Sequence, residues 1–279
     1  MLSDVFYLSL DSLELQAERT IDPSLRTRPI AIISSTGAAG TIVVLSPEAE
    51  QEGLYRGMKV SLAKKKKHGV QFLPYNHYLY QRVNQYVYKT VSCFTPIVEP
   101  SGMSGFYMDM KGIPTPKNNI KDIGLSVLKK IESRTSLLSV VGISINKLVS
   151  RIITDVVPDD IHEVCSGSEP HFLAPLDYSV LPTTRQKPVY RMLHFLVVDK
   201  VAHIQSMSRR IEEFITLFGT HARQLIDEAS GRDTSPVKPL TLRDHILEQT
   251  VLPEDTNDQE MLAAVVQNLA EKIAFHLRT

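Results

Sequence analysis

The chain has 279 residues, of which 43% are hydrophobic, so it can bury a sizeable core divided among two or three subdomains. Basic and acidic residues both number 31, so the net charge does not indicate nucleic-acid binding, and such a role must rest on local patches. Cys93 and Cys165 lie far apart in no zinc-ligand spacing, which excludes a disulfide framework or zinc site and fits a reducing compartment.

The amino terminus does not resemble a targeting segment. Asp4 and Asp11 interrupt its short apolar run, a basic start is missing, and no apolar span of about 18 residues occurs anywhere. The sequence therefore predicts a soluble, cytoplasmic protein that does not enter a membrane.

Short strands and helices alternate in the first third of the chain. Strands are predicted at residues 5–10, 29–34, 42–45 and 70–74. Ser46 is the predicted N-cap of a helix that begins at Pro47 and ends at Gly53. A second short helix is predicted to end at Gly69.

The middle of the chain repeats this alternation with longer helices. Apolar spacing predicts helices over 76–94, 120–131 and 145–157, with strands on both sides of EPSGMSGFYMDM (99–110) and at 137–143. The order strand, helix, two strands, helix, strand is that of a ferredoxin-like split motif, so the predicted fold class is α/β (α+β). Short helices follow from residue 169, then a strand over 242–251 and a helix from 257.

Five segments resemble motifs of the Y-family translesion DNA polymerases, in the family's order. They are YLSLDSLELQAE (7–18), LSPEAEQEGLYRGM (45–58), EPSGMSGFYMD (99–109), GISINKLVSRIITD (142–155) and LFGTHARQLIDEASGRDTSPV (217–237). Among the family's members the chain looks most like the catalytically degenerate, ImuB-like ones. The resemblance implies a ferredoxin-like palm at 1–12 and 75–166, inserted fingers at 13–74, a helical thumb at 167–236, and a truncated little finger domain starting at 237–279.

The family's metal-binding carboxylates have no counterpart in this sequence. By the resemblance, the first catalytic Asp falls on Ser9, and the Asp-Glu pair of the second strand falls on Ser104 and Gly105. Polymerisation by two magnesium ions needs clustered carboxylates, which hydroxyls cannot replace. Asp11, on the same strand face as Ser9, leaves open a residual metal site, or it orients a neighbouring turn.

The positions that grip the incoming nucleotide are changed as well. The family's Tyr and Arg of the fingers fall on Pro47 and Glu50, and the aromatic residue that excludes ribose falls near Glu14. Pro47 offers no side-chain donor, and Glu50 would repel a phosphate.

Basic residues give candidate contacts to DNA phosphates. They are Arg151, Lys147, Arg185, Lys187, Lys64 and Lys65. Lys147 also fits a residue that packs its stem at a helix start, and the run that begins at Lys64 also fits a solvated helix face. The thumb hairpin has lost its glycines, although the Thr183 and Thr184 hydroxyls could still donate to a phosphate.

These substitutions predict a non-catalytic homologue, that is, a DNA-associated adaptor in mutagenic repair that has no enzyme activity and binds no magnesium. The expected partners are DNA, bound weakly through the thumb, and, by the resemblance, a sliding clamp, a replicative polymerase and a RecA-like protein. The expected location is the nucleoid. Two alternatives stay open: an active lesion-bypass polymerase with relocated metal ligands, and a pure protein-interaction module.

The tail carries an apolar stripe that a single strand cannot cover. Its members are Leu262, Val265, Val266, Leu269, Ile273 and Leu277. We expect residues 240–279 to be poorly ordered or to dock on a second copy in a homodimer.

Overall fold

The computed structural model describes residues 4–37, 39–66, 69–113, 120–240, 246–250, 252 and 255–278. The chain divides into two compact units, one formed by residues 1–11 and 84–240 and the other by residues 12–83 and 241–279. The strands are β1 (Val5–Ser9), β2 (Ile30–Ile33), β3 (Ile42–Leu45), β4 (Gln71–Pro74), β5 (Val98–Ser101), β6 (Gly105–Asp109), β7 (Val140–Ser144) and β8 (Ile161–Glu163). The helices are α1 (Leu13–Ile21), α2 (Pro47–Gln51), α3 (Val60–Lys66), α4 (His77–Val91), α5 (Ile120–Thr135), α6 (Lys147–Val156), α7 (Glu169–Leu173), α8 (Lys187–Phe195), α9 (Val201–Met207), α10 (Ile211–Phe218), α11 (Ala222–Ala229) and α12 (Gln259–Arg278).

The first unit is built on a five-stranded sheet of order β5-β6-β1-β7-β8. Strand β1 lies in the centre, antiparallel to both β6 and β7, while β8 runs parallel to β7. The central position of the amino-terminal strand and the mixed sheet confirm the predicted α/β fold class. The three-residue strand β8 was not predicted, because it is too short to show an alternating pattern.

Helices cover both faces of this sheet. On one face, the ring of Tyr88 in α4 lies 6.4 Å from that of Phe106, and α5 packs on β7 and β8. On the other face, α6 crosses β1 and β7. Gly142 makes this crossing possible, because a Cβ there would lie 2.9 Å from the Cβ of Ile153 and would also meet the carbonyl oxygen of Ser150.

Helices α6 to α11 share a second core within the first unit. Its largest fully buried side chain is Phe214, whose ring packs in a tilted arrangement against that of Phe218, with 4.5 Å between the ring centroids. Residues Val149, Ile152 and Ile153 of α6 belong to the same cluster. Helix α6 therefore packs against the sheet on one side and against helices α7 to α11 on the other.

The second unit contains a three-stranded sheet of order β3-β2-β4 with helices α1, α2 and α3. One core of this unit is formed by apolar residues of the sheet, of α2 and α3, and of the segments that join them, among them Ile33, Ile42 and Met58. Ser46 caps α2 as predicted: its hydroxyl accepts a hydrogen bond from the Ala49 N–H at 3.3 Å, and a second from the Ile30 N–H at 3.0 Å.

The tail differs in part from its prediction. Residues 246–250 form no strand, and the remaining positions of the predicted strand up to residue 245 and at 251 lie outside the described residues. Helix α12 forms as expected, and Val266, Phe275 and Leu277 are more than half exposed on it. None of the helices in the described part of the chain is long and apolar enough to cross a membrane.

Candidate active site

The two strand ends expected to carry the catalytic positions meet in the structure. Ser9 at the end of β1 pairs directly with Gly105 at the start of β6, and the Leu10 N–H donates to the carbonyl oxygen of Ser104 at 2.8 Å. Side chains of directly paired antiparallel residues point to the same face of a sheet. The pairing therefore places the Ser9 side chain on the same face as Gly105, with Ser104 next in the chain, where the resemblance implies three carboxylates.

Tyr7 is the residue at this site that the sequence analysis missed. It lies two positions before Ser9, on the same face of β1, and it pairs with Tyr107 of β6. The two rings are 4.5 Å apart, and both are almost completely buried. An added Cβ at Gly105 would lie 2.7 Å from the Tyr7 Cζ and closer still to its hydroxyl oxygen.

Asp11, which follows β1, and Asp109, the last residue of β6, lie at opposite ends of the β1–β6 strand pair. Asp11 follows the strand end that carries Ser9 and is exposed, whereas Asp109 ends β6 at the far side of the sheet, opposite Val5. There, burial raises the pKa of Asp4, the Asp109 carboxylate adds to the rise, and Lys111 offsets part of it. Among the described residues no group of three or more His, Cys, Asp or Glu side chains is placed to hold a metal ion.

Lys147 is held by an ion pair on the face that carries the two tyrosines. Its ammonium lies 2.7 Å from Oε1 of Glu99 and 4.8 Å from the centre of the Tyr107 ring. The other oxygen of Glu99 accepts a hydrogen bond from the Lys238 N–H at 2.7 Å. The reading of Lys147 as a side chain that packs its stem at a helix start matches this environment, since the ammonium already has a partner.

The charges of Arg151 and Arg185 both act on the carboxyl group of Asp155. Desolvation raises the pKa of Asp155, and both guanidinium groups lower it in part. Arg151 also faces Tyr107: burial raises the pKa of this phenol, Tyr7 adds to the rise, and Arg151 partly offsets it. Arg185 is exposed on the turn before α8, and Lys187 at the first position of α8 is exposed as well.

The structure does not leave the Thr183 and Thr184 hydroxyls available for a phosphate. The Thr183 hydroxyl donates to Oε1 of Glu228 at 2.7 Å, and its N–H donates to Oε2 at 2.8 Å. The Thr184 hydroxyl donates to the carbonyl oxygen of Leu181 at 2.6 Å. Both threonines are buried, so the expectation of hydroxyl contacts at this hairpin is wrong.

The nucleotide-gripping positions lie in the second unit. Pro47 and Glu50 are exposed on α2, and Glu14 is half-buried in the first turn of α1, where its charge adds to a burial-driven rise in the pKa of Tyr75. Lys64 and Lys65 are exposed on α3, with the Lys64 ammonium 5.9 Å from the centre of the Phe72 ring.

The residues at Ser9, Ser104 and Gly105 do not fit a magnesium ion. Magnesium takes oxygen ligands at about 2.0–2.1 Å and usually needs at least one carboxylate. Here Ser9 pairs with Gly105, Ser104 precedes Gly105 in the chain, and none of the three has a carboxylate. The space that a side chain at position 105 would take borders the Tyr7 phenol. A magnesium ion bound by this chain would need acidic ligands from other positions.

Curated relatives match nearly the whole chain. The DNA polymerase IV of Dehalococcoides mccartyi (strain 195) is 29% identical over 98% of this chain and 70% of its own length. The DNA polymerase IV of Alkalilimnicola ehrlichii is 25% identical over 98% of this chain and 76% of its own length.

These relatives contradict the expectation of a non-catalytic adaptor without enzyme activity. They are named as polymerases, and they give no support to the narrower likeness to degenerate, ImuB-like members. The expectation that the chain binds no magnesium followed from the same reasoning and is overturned with it. The error came from equating the residue types at the predicted ligand and nucleotide-gripping positions with the loss of the reaction.

Solved structures share the fold, and a family profile matches the sequence. DinB from Sulfolobus solfataricus superposes with a TM-score of 0.72 at 19% identity, covering 84% of this chain and 68% of that one. A Y-family DNA polymerase chimera reaches a TM-score of 0.78 at 18% identity, covering 97% of this chain and 79% of that one. The profile of the impB/mucB/samB family matches residues 7–155, more than half of the chain, which confirms the Y-family resemblance. The chain therefore belongs to the impB/mucB/samB family.

Proposed function

We propose that this chain is a lesion-bypass DNA polymerase whose metal ligands lie outside the three family positions. The observation that carries the proposal is the likeness along 98% of the chain to proteins named DNA polymerase IV. The direct pairing of Ser9 with Gly105 supports it, because it aligns the two strand ends on which the family places its chemistry.

Asp11 is the proposed source of negative charge at this strand end. It lies two residues after Ser9, and it is exposed where the chain leaves β1. A magnesium ion bound in a polymerase stabilises the charge that develops on the transferred phosphate. The role of this chain is to place the primer and the template against the strand end.

DNA is the proposed partner, bound by phosphate contacts from exposed basic residues. Lys187 begins α8 of the predicted thumb, and Arg185 lies on the turn before it. Burial raises the pKa of Asp155, and the charges of Arg151 and Arg185 both lower it in part. Lys64 and Lys65 extend the set to the predicted fingers. Lys147 ranks last, because Glu99 already neutralises it.

The subdomain boundaries, the protein partners and the location also belong to this proposal. We assign the palm to 1–12 and 75–166, the fingers to 13–74, the thumb to 167–236, and the start of a little finger domain to 237–279. The sliding clamp, the replicative polymerase, a RecA-like partner and a cytoplasmic, nucleoid-associated location follow from family resemblance alone. The exposed apolar side chains of α12 support contact between two copies through residues 240–279.

Primer extension by the purified full chain tests the proposed activity. The assay uses a labelled primer-template with Mg²⁺ or Mn²⁺, and a matched reaction with EDTA. We expect template-directed incorporation that EDTA abolishes. Asp11→Asn should lower the rate at least about tenfold, which corresponds to about 1.4 kcal/mol of transition-state stabilisation.

Asp109→Asn is the matched control, since it removes the same charge at the far end of β6. It should leave incorporation unchanged. Absence of incorporation by the unmodified chain, at enzyme concentrations equal to that of the primer, would contradict the proposed function. Equal losses in the two variants would contradict the role of Asp11.

A further inference from the structure

The side-chain space of residue 105 is already occupied in this protein. A Cβ built on Gly105 lies 2.7 Å from Tyr7 Cζ, nearer to the Tyr7 hydroxyl, and 2.9 Å from the carbonyl oxygen of Ser101. Real Cβ atoms do not approach other heavy atoms this closely, so any side chain at 105 would force a neighbour to move. Gly105 is thus required by the position of Tyr7, and not only permitted there.

Tyr7 cannot move aside without losing packing. Its ring lies 4.5 Å from the ring of Tyr107, and Val237 forms one buried cluster with both tyrosines. Val237 is fixed by its neighbour Lys238, whose N–H donates to Glu99 at 2.7 Å. The phenol is therefore held between a strand and the segment that follows the helical bundle, and it points toward the strand end that carries Ser9 and Gly105.

We infer that Tyr7 and Gly105 form a compensating pair, in which the phenol fills the place of the missing carboxylate side chain and bars a divalent cation from that place. Two consequences follow. Tyr7 is a specificity-determining residue for metal binding at the side-chain space of residue 105, and restoring acidic residues at the family positions is insufficient while Tyr7 is present. The inference concerns packing, so it can fail or hold independently of whether the chain synthesises DNA.

A double-mutant cycle on the full chain tests the pair through thermal unfolding. Gly105→Ala adds only the Cβ, and it should lower the Tm by several degrees in the unmodified protein. In a Tyr7→Val background, which shortens the side chain but keeps a strand-forming residue, the same change should have little effect. Gly69→Ala is the control, because a Cβ at Gly69 meets open space, and it should leave the Tm unchanged.

A second measurement tests metal exclusion with Mn²⁺ as the probe, followed by electron paramagnetic resonance. One protein carries Ser9→Asp, Ser104→Asp and Gly105→Glu, and the other carries these three changes together with Tyr7→Val. We expect Mn²⁺ affinity to be at least about tenfold higher in the protein that lacks Tyr7, a difference of about 1.4 kcal/mol.

Two results would overturn the inference. The first is that Gly105→Ala does not lower the Tm of the unmodified protein, or that it lowers the Tm equally in the unmodified protein and in the Tyr7→Val background. The second is an equal Mn²⁺ response of the two acidic proteins, including no binding by either. If the acidic protein that retains Tyr7 fails to fold while its Tyr7→Val counterpart folds, the compensating pair is supported by stability alone.

Discussion

The Lys147 ammonium lies 2.7 Å from one carboxylate oxygen of Glu99, and the other oxygen of Glu99 accepts the Lys238 N–H at the same distance. One side chain of β5 therefore fixes both the start of α6 and the segment after α11. Asn146 and Asp233 reinforce this connection: the Asn146 amide donates to the Gly231 carbonyl oxygen at 2.7 Å, and Asp233 accepts from the Leu148 N–H at 3.2 Å.

Glu99→Ala should lower the free energy of unfolding by about 1–3 kcal/mol, since it removes two charge-assisted hydrogen bonds and leaves Lys147 half-buried without its partner. Chemical denaturation measures this loss. Limited proteolysis should show faster cleavage between residues 233 and 240. Glu132→Ala, which removes an exposed glutamate on α5, is the control. Unchanged cleavage and stability in Glu99→Ala would show that the segment is held by other contacts.

The Asp4–Asp109 pair predicts a specific pH dependence. Burial and then Asp109 raise the pKa of Asp4 above its ordinary value of 3.8 in the folded protein. A carboxyl group with a raised folded pKa contributes stability below its unfolded pKa and loses that contribution as the pH rises through its folded pKa. Asp109→Asn removes the repelling charge, so the loss of folding stability as the pH rises above 3.8 should be smaller in this variant.

Urea midpoints measured from pH 3 to pH 7 check this expectation. Asn can still accept the hydrogen bond that the Lys111 N–H donates to Oδ1 of residue 109 at 2.9 Å, so the substitution changes little except charge. Asp255→Asn, in an exposed segment without regular structure, is the control. A pH profile that is identical with and without Asp109 would contradict the coupling.

The buried hydrogen bonds between Thr183 and Glu228 predict that a substitution of Thr183 lowers the stability of the predicted thumb without weakening DNA binding. Thr183→Val removes the hydroxyl that donates to Oε1 of Glu228. That oxygen keeps the hydrogen bond from the side-chain amide of Gln224 at 2.9 Å. We expect a loss of about 1–3 kcal/mol in unfolding free energy. DNA affinity at a temperature where the variant is folded should stay unchanged.

Thr216→Val is the matched control, because the Thr216 hydroxyl is exposed and donates only to the preceding turn of its own helix. Its effect on stability should be small. Weaker DNA binding by folded Thr183→Val protein would show that this threonine contacts phosphate after all, which its burial argues against.

Local features of the fold could be predicted from the sequence because they depend on neighbouring residues. Ser46 caps α2 as predicted, by accepting the N–H of the residue three positions later. Asn146, which was not predicted as a cap, does the same for α6. The fold class also followed from the order of strands and helices, which is that of a ferredoxin-like split motif. The missed strand β8 has three residues, too few for any periodic signal.

The chemistry of the candidate site was much less predictable. The sequence places Tyr7 on the same strand face as Ser9, but its approach to Gly105 depends on the register between β1 and β6. The engagement of Thr183 by Glu228 likewise joins residues that are distant in the chain. The assignment of the three family positions to Ser9, Ser104 and Gly105 stays a prediction, whereas the conclusion of lost activity drawn from it is contradicted by the relatives named as polymerases.

The last prediction concerns the salt dependence of DNA binding. Each phosphate neutralised by a basic side chain releases counterions, so the logarithm of the affinity falls with the logarithm of salt concentration by about 0.9 per contact. Arg185→Ala and Lys187→Ala remove exposed charges, and each should reduce this slope by about 1. Fluorescence anisotropy with a labelled primer-template, from about 50 to 200 mM salt, measures the slope.

Lys130→Ala on the exposed face of α5 is the control for the salt dependence and should not alter the slope. Lys147→Ala should reduce stability more than the slope, because its charge is neutralised by Glu99 and is not available to a phosphate. A slope that stays the same in Arg185→Ala and Lys187→Ala would remove both residues from the proposed DNA surface.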